Sequence, residues 1–244
     1  MALRRGSGID GSFSIMGTRI PVVVGALIGL TLGLSILGAV GRQTGFPLTQ
    51  SGALFPLRVW EGEVWRLFTW IFFETEPFPL IFACLGLWWF GSDLAYAWGA
   101  RRFLAVYFGF ALVSAGVTCL LARSVWPGLT LLGYAGNWPL VDALVIAWAV
   151  LYPHRQIFVY FVLPLGGRNL IYLTIAGTLL LGVFNGFGQY LPHLTAEALM
   201  LLYMRELSLR YLWLRLKFAM TSRRRSQLRP VDRDTRNEPP RWLH

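Results

Sequence analysis

Three side chains with acid–base capacity, Asp142, His193 and Glu197, lie within stretches of sequence otherwise suited to lipid. Ionisable groups are costly at membrane depth, so they mark ligand sites, proton paths or hydrogen-bonded packing contacts. Glu197 follows His193 by four residues, one helical turn. Asp142 follows Ala135 by seven, two turns, so each pair shares a helix face. At about 1.5 Å per residue, Asp142 stands roughly 15 Å above Tyr152 and Glu197 roughly 12 Å above Arg205, which places the two carboxylates at similar depth. Nucleophiles are scarce around them. Cys84 and Cys119 fall inside apolar runs and read as packing residues, with too few companions for a metal site or a disulfide framework. Ser124 adjoins Arg123 at the edge of a run. The small-residue turn Gly133-Tyr134-Ala135-Gly136 carries only a methyl group at its third position.

Helices that cross a bilayer must position these groups. Of 244 residues, 55% are hydrophobic and 14% charged, with mean hydropathy +0.53. No single water-soluble core hides that much apolar surface. Between Arg19 and Arg42 no residue is charged, and this run is long enough to span. It exceeds the apolar region of a cleavable signal peptide and reads as a retained anchor. The first span is expected over Ile20–Val40, where Gly25, Gly29 and Gly33 either form a small-residue face for helix packing or reflect only how common Gly is in membrane helices. Residues 42–66 are too polar to span and form a connection with structure of its own. Further spans are expected over Pro77–Ala97 and Phe103–Ala122, joined by the basic turn Gly99-Ala100-Arg101-Arg102. A fourth begins at Asn137-Trp138-Pro139, where Asn can cap and Pro loses nothing in the first turn, and ends before Pro153. Residues 156–167 are too short to cross and read as re-entrant or interfacial. The fifth span covers Asn169–Pro192, and the sixth starts near His193. This divides the chain into an N-terminal arm (1–19), a six-helix membrane domain (20–218) and a disordered basic tail (219–244).

The net charge of +10 raises the possibility of nucleic acid, but the basic residues sit at span ends and in the tail, and no nucleic-acid motif accompanies them. The expected partner is the lipid bilayer, with no cofactor and no metal. Eighteen of the 22 Lys and Arg residues fall on one side of the six-span arrangement, which the positive-inside rule makes cytoplasmic, together with both termini. The tail, including Arg223-Arg224-Arg225, then touches anionic lipid. A preponderance of Arg over Lys is in keeping with a bacterial inner membrane.

Several motifs carry a resemblance. Gly62-Glu63-Val64-Trp65-Arg66-Leu67-Phe68-Thr69 resembles the Trp-Arg motif before the second helix of rhomboids and the related derlins. Leu87-Trp88-Trp89-Phe90-Gly91, Trp98-Gly99-Ala100-Arg101-Arg102-Phe103 and Tyr107 follow in the family's order and spacing. Gly133-Tyr134-Ala135-Gly136 stands where a rhomboid has GxSG, and His193-Leu194 where it has its catalytic His-Leu. The resemblance covers roughly residues 60–205 and implies an all-α, six-helix rhomboid-like bundle.

The resemblance also implies a chemistry whose parts are missing. Rhomboids use a Ser at the head of a short fourth helix, with a His from the sixth as base, in a water-filled cavity below the membrane surface. Here Ala135 occupies the nucleophile position. The oxyanion stabilisers of the second helix align with Pro79 and Ala83, which have no side-chain donor. The acid expected after the second helix's Gly aligns with Ala95, and the Gly face of the sixth helix is replaced by Ala196 and Met200. Only His193 persists. The losses at Pro79 and Ala83 argue against a simple engineered Ser-to-Ala change at 135, and Ser124 lacks flanking glycines. Because the fourth and sixth helices pack together in this arrangement, Asp142 and Glu197 are expected to approach one another with at least one protonated, since adjacent carboxylates in low dielectric cannot both ionise cheaply. That seam either serves packing, or binds a client helix or carries a proton. The implied function is a pseudoprotease that binds transmembrane segments of client proteins without cleaving them. The alternatives are an active protease with an unrecognised or mutated nucleophile, and a structural subunit of a membrane complex.

Overall fold

A computed structural model describes residues 11–15, 18–159 and 163–206. Two compact units divide the chain at Tyr203/Met204, and the site described below lies in the first, Met1–Tyr203. The expected disordered tail 219–244, with Arg223 to Arg225, and the basic residues Arg4, Arg5, Arg210, Arg215 and Lys217 lie outside the described residues.

The architecture is helical. A short hairpin, β1 (Ser12–Ile15) and β2 (Thr18–Pro21), leads into α1 (Val22–Thr44). Short helices α2 (Leu48–Gly52), α3 (Pro56–Trp60) and α4 (Arg66–Thr69) fold the connection that follows. A second span, Pro77–Trp98, consists of α5 (Pro77–Gly86), a π-helical turn (Leu87–Gly91) and α6 (Ser92–Trp98). Gly99 then turns the chain into α7 (Ala100–Ser124). After an irregular stretch come α8 (Trp138–Leu151), a hairpin of β3 (Gln156–Val159) and β4 (Leu163–Gly166), and α9 (Gly167–Asn185). Residues 191–206 are helical and are called α10. Four of these helices are long and apolar enough to cross a membrane, and α8 is a shorter apolar one. The protein is a polytopic all-α membrane protein.

Helix α8 is the axis of the bundle. It is buried along nearly its whole length, from Pro139 to Ala149, which explains why its sequence is apolar all round rather than amphipathic. The α7 face turned inward repeats at helical spacing through Phe103, Tyr107, Ala111, Ser114, Thr118 and Ala122. With 14 residues α8 is only about 21 Å long. It is therefore too short to cross a hydrocarbon core of about 30 Å.

Three expectations need correction. The first is the glycine face of α1. Gly29 and Gly33 are exposed and meet nothing, while the inward face runs through Val24, Leu27, Thr31, Ser35 and Gly38. Spacing of four aligns the glycines, but the apolar bulk of Val24 and Leu27 and the hydroxyl of Ser35 find partners on the other side of the helix. The second is the re-entrant option for residues 156–167, because 156–159 pair antiparallel with 163–166, Gln156 opposite Gly166, and Gly167 opens α9, which leaves the interfacial option. A β-rich run that is too short to span satisfies its backbone by pairing with itself. The third is the fifth span, expected to run to Pro192: α9 stops at Asn185, where Gly186 takes φ +94° and a turn follows through Tyr190.

Candidate functional site

The mouth of α8 is shaped from the connection between α1 and α5. Arg66 is buried, and its guanidinium binds Glu63 through Nε (2.6 Å) and the carbonyls of Gln50 (2.5 Å) and Ala53 (2.6 Å) through Nη1. A planar fork with several fixed donors suits this task, and an ammonium does not. The same guanidinium lies over the Phe55 ring, 5.7 Å from its centroid. Trp65 stays half-exposed and donates to the Ser51 carbonyl at 3.4 Å. The loop so ordered presents Leu54, which exchanges two 2.8 Å backbone hydrogen bonds with Tyr134. A Cβ on Gly133 would approach within 2.6 Å of Phe55, so only glycine lets this loop close on the strand before Ala135. Tyr134 donates its hydroxyl to the Gly188 carbonyl at 2.8 Å, and the Gly136 N–H reaches Trp70 O at 2.9 Å. Ala135 is thus held by a pinned backbone on either side.

Asn137 does not cap α8 with its side chain, contrary to expectation. Its amide Nδ2 points instead at the Tyr107 hydroxyl, 3.4 Å away, and its Oδ1 has no protein partner. The cap is the carboxylate of Glu74, which accepts the Asn137 backbone N–H at 3.0 Å. Glu74 is itself fixed, because its backbone N–H donates to Ser35 Oγ (2.9 Å), which in turn donates to Phe72 O (3.1 Å). Burial pushes the Glu74 carboxyl up to about 7, opposed by the Asn137 N–H and helped by the neighbouring Glu76. Gly136 has φ +102°, and any Cβ there would collide with the Glu74 carboxylate. Neither Glu74 nor Ser35 stood out in the sequence. Glu74 reads there as one of several charges outside the spans, and no local spacing relates it to a helix that begins 64 residues later.

A cavity of about 930 Å³ opens beside this mouth. Its walls bring together Pro79, Gly133, Ala135, Asp142 and His193 with Glu74. The cavity therefore unites Ala135, Pro79 and His193 of the degenerate catalytic set, whereas Ala95, Ala196 and Met200 are buried away from it. Ala83 is fully buried and does not line it, and neither does Ser124, whose hydroxyl donates to Leu120 O at the end of α7. Gly91 packs against Phe103, and Gly99 serves the α6–α7 turn, both away from the cavity. Among the described residues no serine or cysteine lines the cavity, and no cluster of metal-ligating side chains forms.

The expected pairing of Asp142 with Glu197 is replaced by two other pairings. Asp142 Oδ2 lies 2.8 Å from His193 Nδ1, while Glu197 accepts a 2.6 Å hydrogen bond from Thr178 Oγ1 on α9. Each carboxylate has found a donor, which low dielectric favours over a contact between two acceptors. Both pairings lie in or against the cavity wall, since Thr178 also lines it. Tyr190 lies against the His193 ring, with centroids 5.3 Å apart. At the opposite end of α8, Asp93 accepts from Trp148 Nε1 (2.8 Å) and Arg155 Nη1 (2.9 Å). An acid does follow the second helix's glycine, then, but two residues before the aligned Ala95.

A bundle of apolar helices around a short, nearly buried one, with a cavity of mixed polarity at that helix's mouth, defines a polytopic intramembrane protein. The Rhomboid domain family model matches residues 61–205, more than half of the chain, and the chain belongs to the rhomboid family. A search of curated proteins finds no match.

Proposed function

We propose that this rhomboid-family protein is a pseudoprotease, which holds transmembrane segments of membrane-protein clients without cutting them. The reading rests on the methyl group of Ala135, which faces the cavity at the position matching the family's nucleophile. A methyl group cannot attack a carbonyl, and proton withdrawal by His193 has nothing to act on at that position. Two further features support it. Pro79 offers no side-chain donor to an oxyanion. The backbone N–H of Asn137 at the mouth of α8 is already taken by Glu74. The cavity that remains is large enough for several side chains of a bound helix and combines apolar with polar walls. The charge distribution supports cytoplasmic termini in a bacterial inner membrane.

The test uses purified protein in mild detergent. Fluorophosphonate should leave the wild type unlabelled, and a model transmembrane substrate should remain intact over hours. In membranes, a photo-crosslinker at Leu181 on the cavity wall should capture transmembrane clients. Covalent labelling at any hydroxyl, or time-dependent cleavage with contaminating proteases excluded, refutes the proposal.

A further inference from the structure

We infer that Asp142 and His193 form a preset hydrogen-bond acceptor that selects client segments carrying a side-chain donor, such as a hydroxyl, amide or indole N–H. This deepens the client-binding reading and rests on it.

The argument starts from the ring. An imidazole whose Nδ1 is held by a carboxylate carries its proton on Nδ1, because an ionised carboxylate only accepts. His193 Nδ1 lies 2.8 Å from Asp142 Oδ2. In the neutral ring the lone pair is then on Nε2, and among the described residues Nε2 has no partner. The ring is also held in plane. Asp142 reaches it from α8, the Tyr190 ring lies against it at a tilt of 41°, and the side chains of His193 and Asp142 keep 19% and 17% exposure. Both residues line the cavity. A fixed, accessible acceptor in a recess whose walls mix apolar and polar groups rewards a donor placed opposite it. With Ala135 in the wall, no hydroxyl at that position competes for Nε2.

Asp142 is on this account a positioning residue. It acts through His193 by fixing which ring nitrogen accepts, as carboxylates fix the tautomer of metal-bound histidines.

The experiment has two arms on the full-length protein in lipid nanodiscs. In the first, 15N-histidine NMR at pH 7 reports the tautomer of His193, assigned by loss of its signals in His193→Phe. The wild type should show Nδ1–H with unprotonated Nε2, and Asp142→Asn should shift the ring toward Nε2–H. An Nε2–H or doubly protonated ring in the wild type overturns the inference. In the second, binding of a Leu/Ala transmembrane peptide is measured by energy transfer. The peptide carries one central Trp or its isostere 3-benzothienylalanine, which lacks the N–H, at each of four successive positions. Hydrogen bonds between helices in membranes support an expected preference for Trp of about fivefold at one position. The preference should vanish in Asp142→Asn and in His193→Phe while both variants keep binding the isostere peptide, which shows that they are folded. Equal affinity of both peptides for the wild type at all four positions overturns the inference and leaves client binding standing. Binding of neither peptide overturns client binding itself, and the inference with it.

Discussion

Replacing Glu74 by Gln should remove from the pH dependence of this protein's stability the share that the Glu74 carboxyl contributes between pH 5 and 8. The Glu74 carboxyl is raised from its ordinary 4.5 to about 7, chiefly by burial. Below about pH 4.5 it is protonated in both the folded and unfolded chains and contributes no penalty. As pH rises, the unfolded chain ionises first, and the folded state loses stability until the pH passes its own value of about 7. At about 1.4 kcal/mol for each tenfold change in proton affinity, the full loss is about 3 kcal/mol by about pH 8. Gln is neutral throughout, fits the same space, and can still accept the Asn137 N–H. Glu74→Gln should therefore match the wild type within about 1 kcal/mol at pH 4.5 and exceed it by up to about 3 kcal/mol at pH 8. Glu76, Asp142 and His193 share the cavity with Glu74, and Arg42 donates to Thr75 O beside it, so all four are left intact in the comparison. The assay is denaturant unfolding in detergent micelles at half-unit pH steps. Parallel pH profiles for wild type and variant would refute the reasoning, because they would mean that Glu74 carries no raised affinity for protons.

Other substitutions test the rest of the site. Arg66→Ala should destabilise the fold by about 1–3 kcal/mol, since it leaves the buried Ala53 carbonyl without its donor while Glu63 keeps Arg58, and Arg66→Lys should recover only part of that loss in the same unfolding assay. Gly136→Ala combines a left-handed backbone with a collision at Glu74, and a loss of at least about 1–3 kcal/mol is expected, visible as a lower melting temperature. Thr178→Val leaves Glu197 without its donor and should cost about 1–3 kcal/mol. Adding Glu197→Gln should restore much of this, as a double-mutant cycle will report.

The candidate site was legible in the sequence where residue type alone decides chemistry. Ala135 cannot be a nucleophile in any fold, and Pro79 cannot donate. Motif order alone suggested that Gly133, Ala135 and His193 converge, and the cavity does unite them. What escaped was partner choice. His193 and Glu197 lie one turn apart on the same face of α10, about 6 Å along its axis. A shift of that size between α8 and α10 decides which of them meets Asp142. No periodicity in either helix encodes such a shift, and the packed bundle gave the contact to His193.

The sequence by itself determined which segments are long and apolar enough to enter a bilayer and where charge stops them. Hydropathy and charge are properties of neighbouring residues, so they survive without coordinates. Tertiary structure alone decided that Ser35 rather than the glycines of α1 faces inward, that residues 156–166 close as a hairpin, and that Glu74 caps a helix 64 residues downstream. Those outcomes depend on the rotation and offset of packed elements, where a single donor or a missing Cβ selects among arrangements of nearly equal apolar burial.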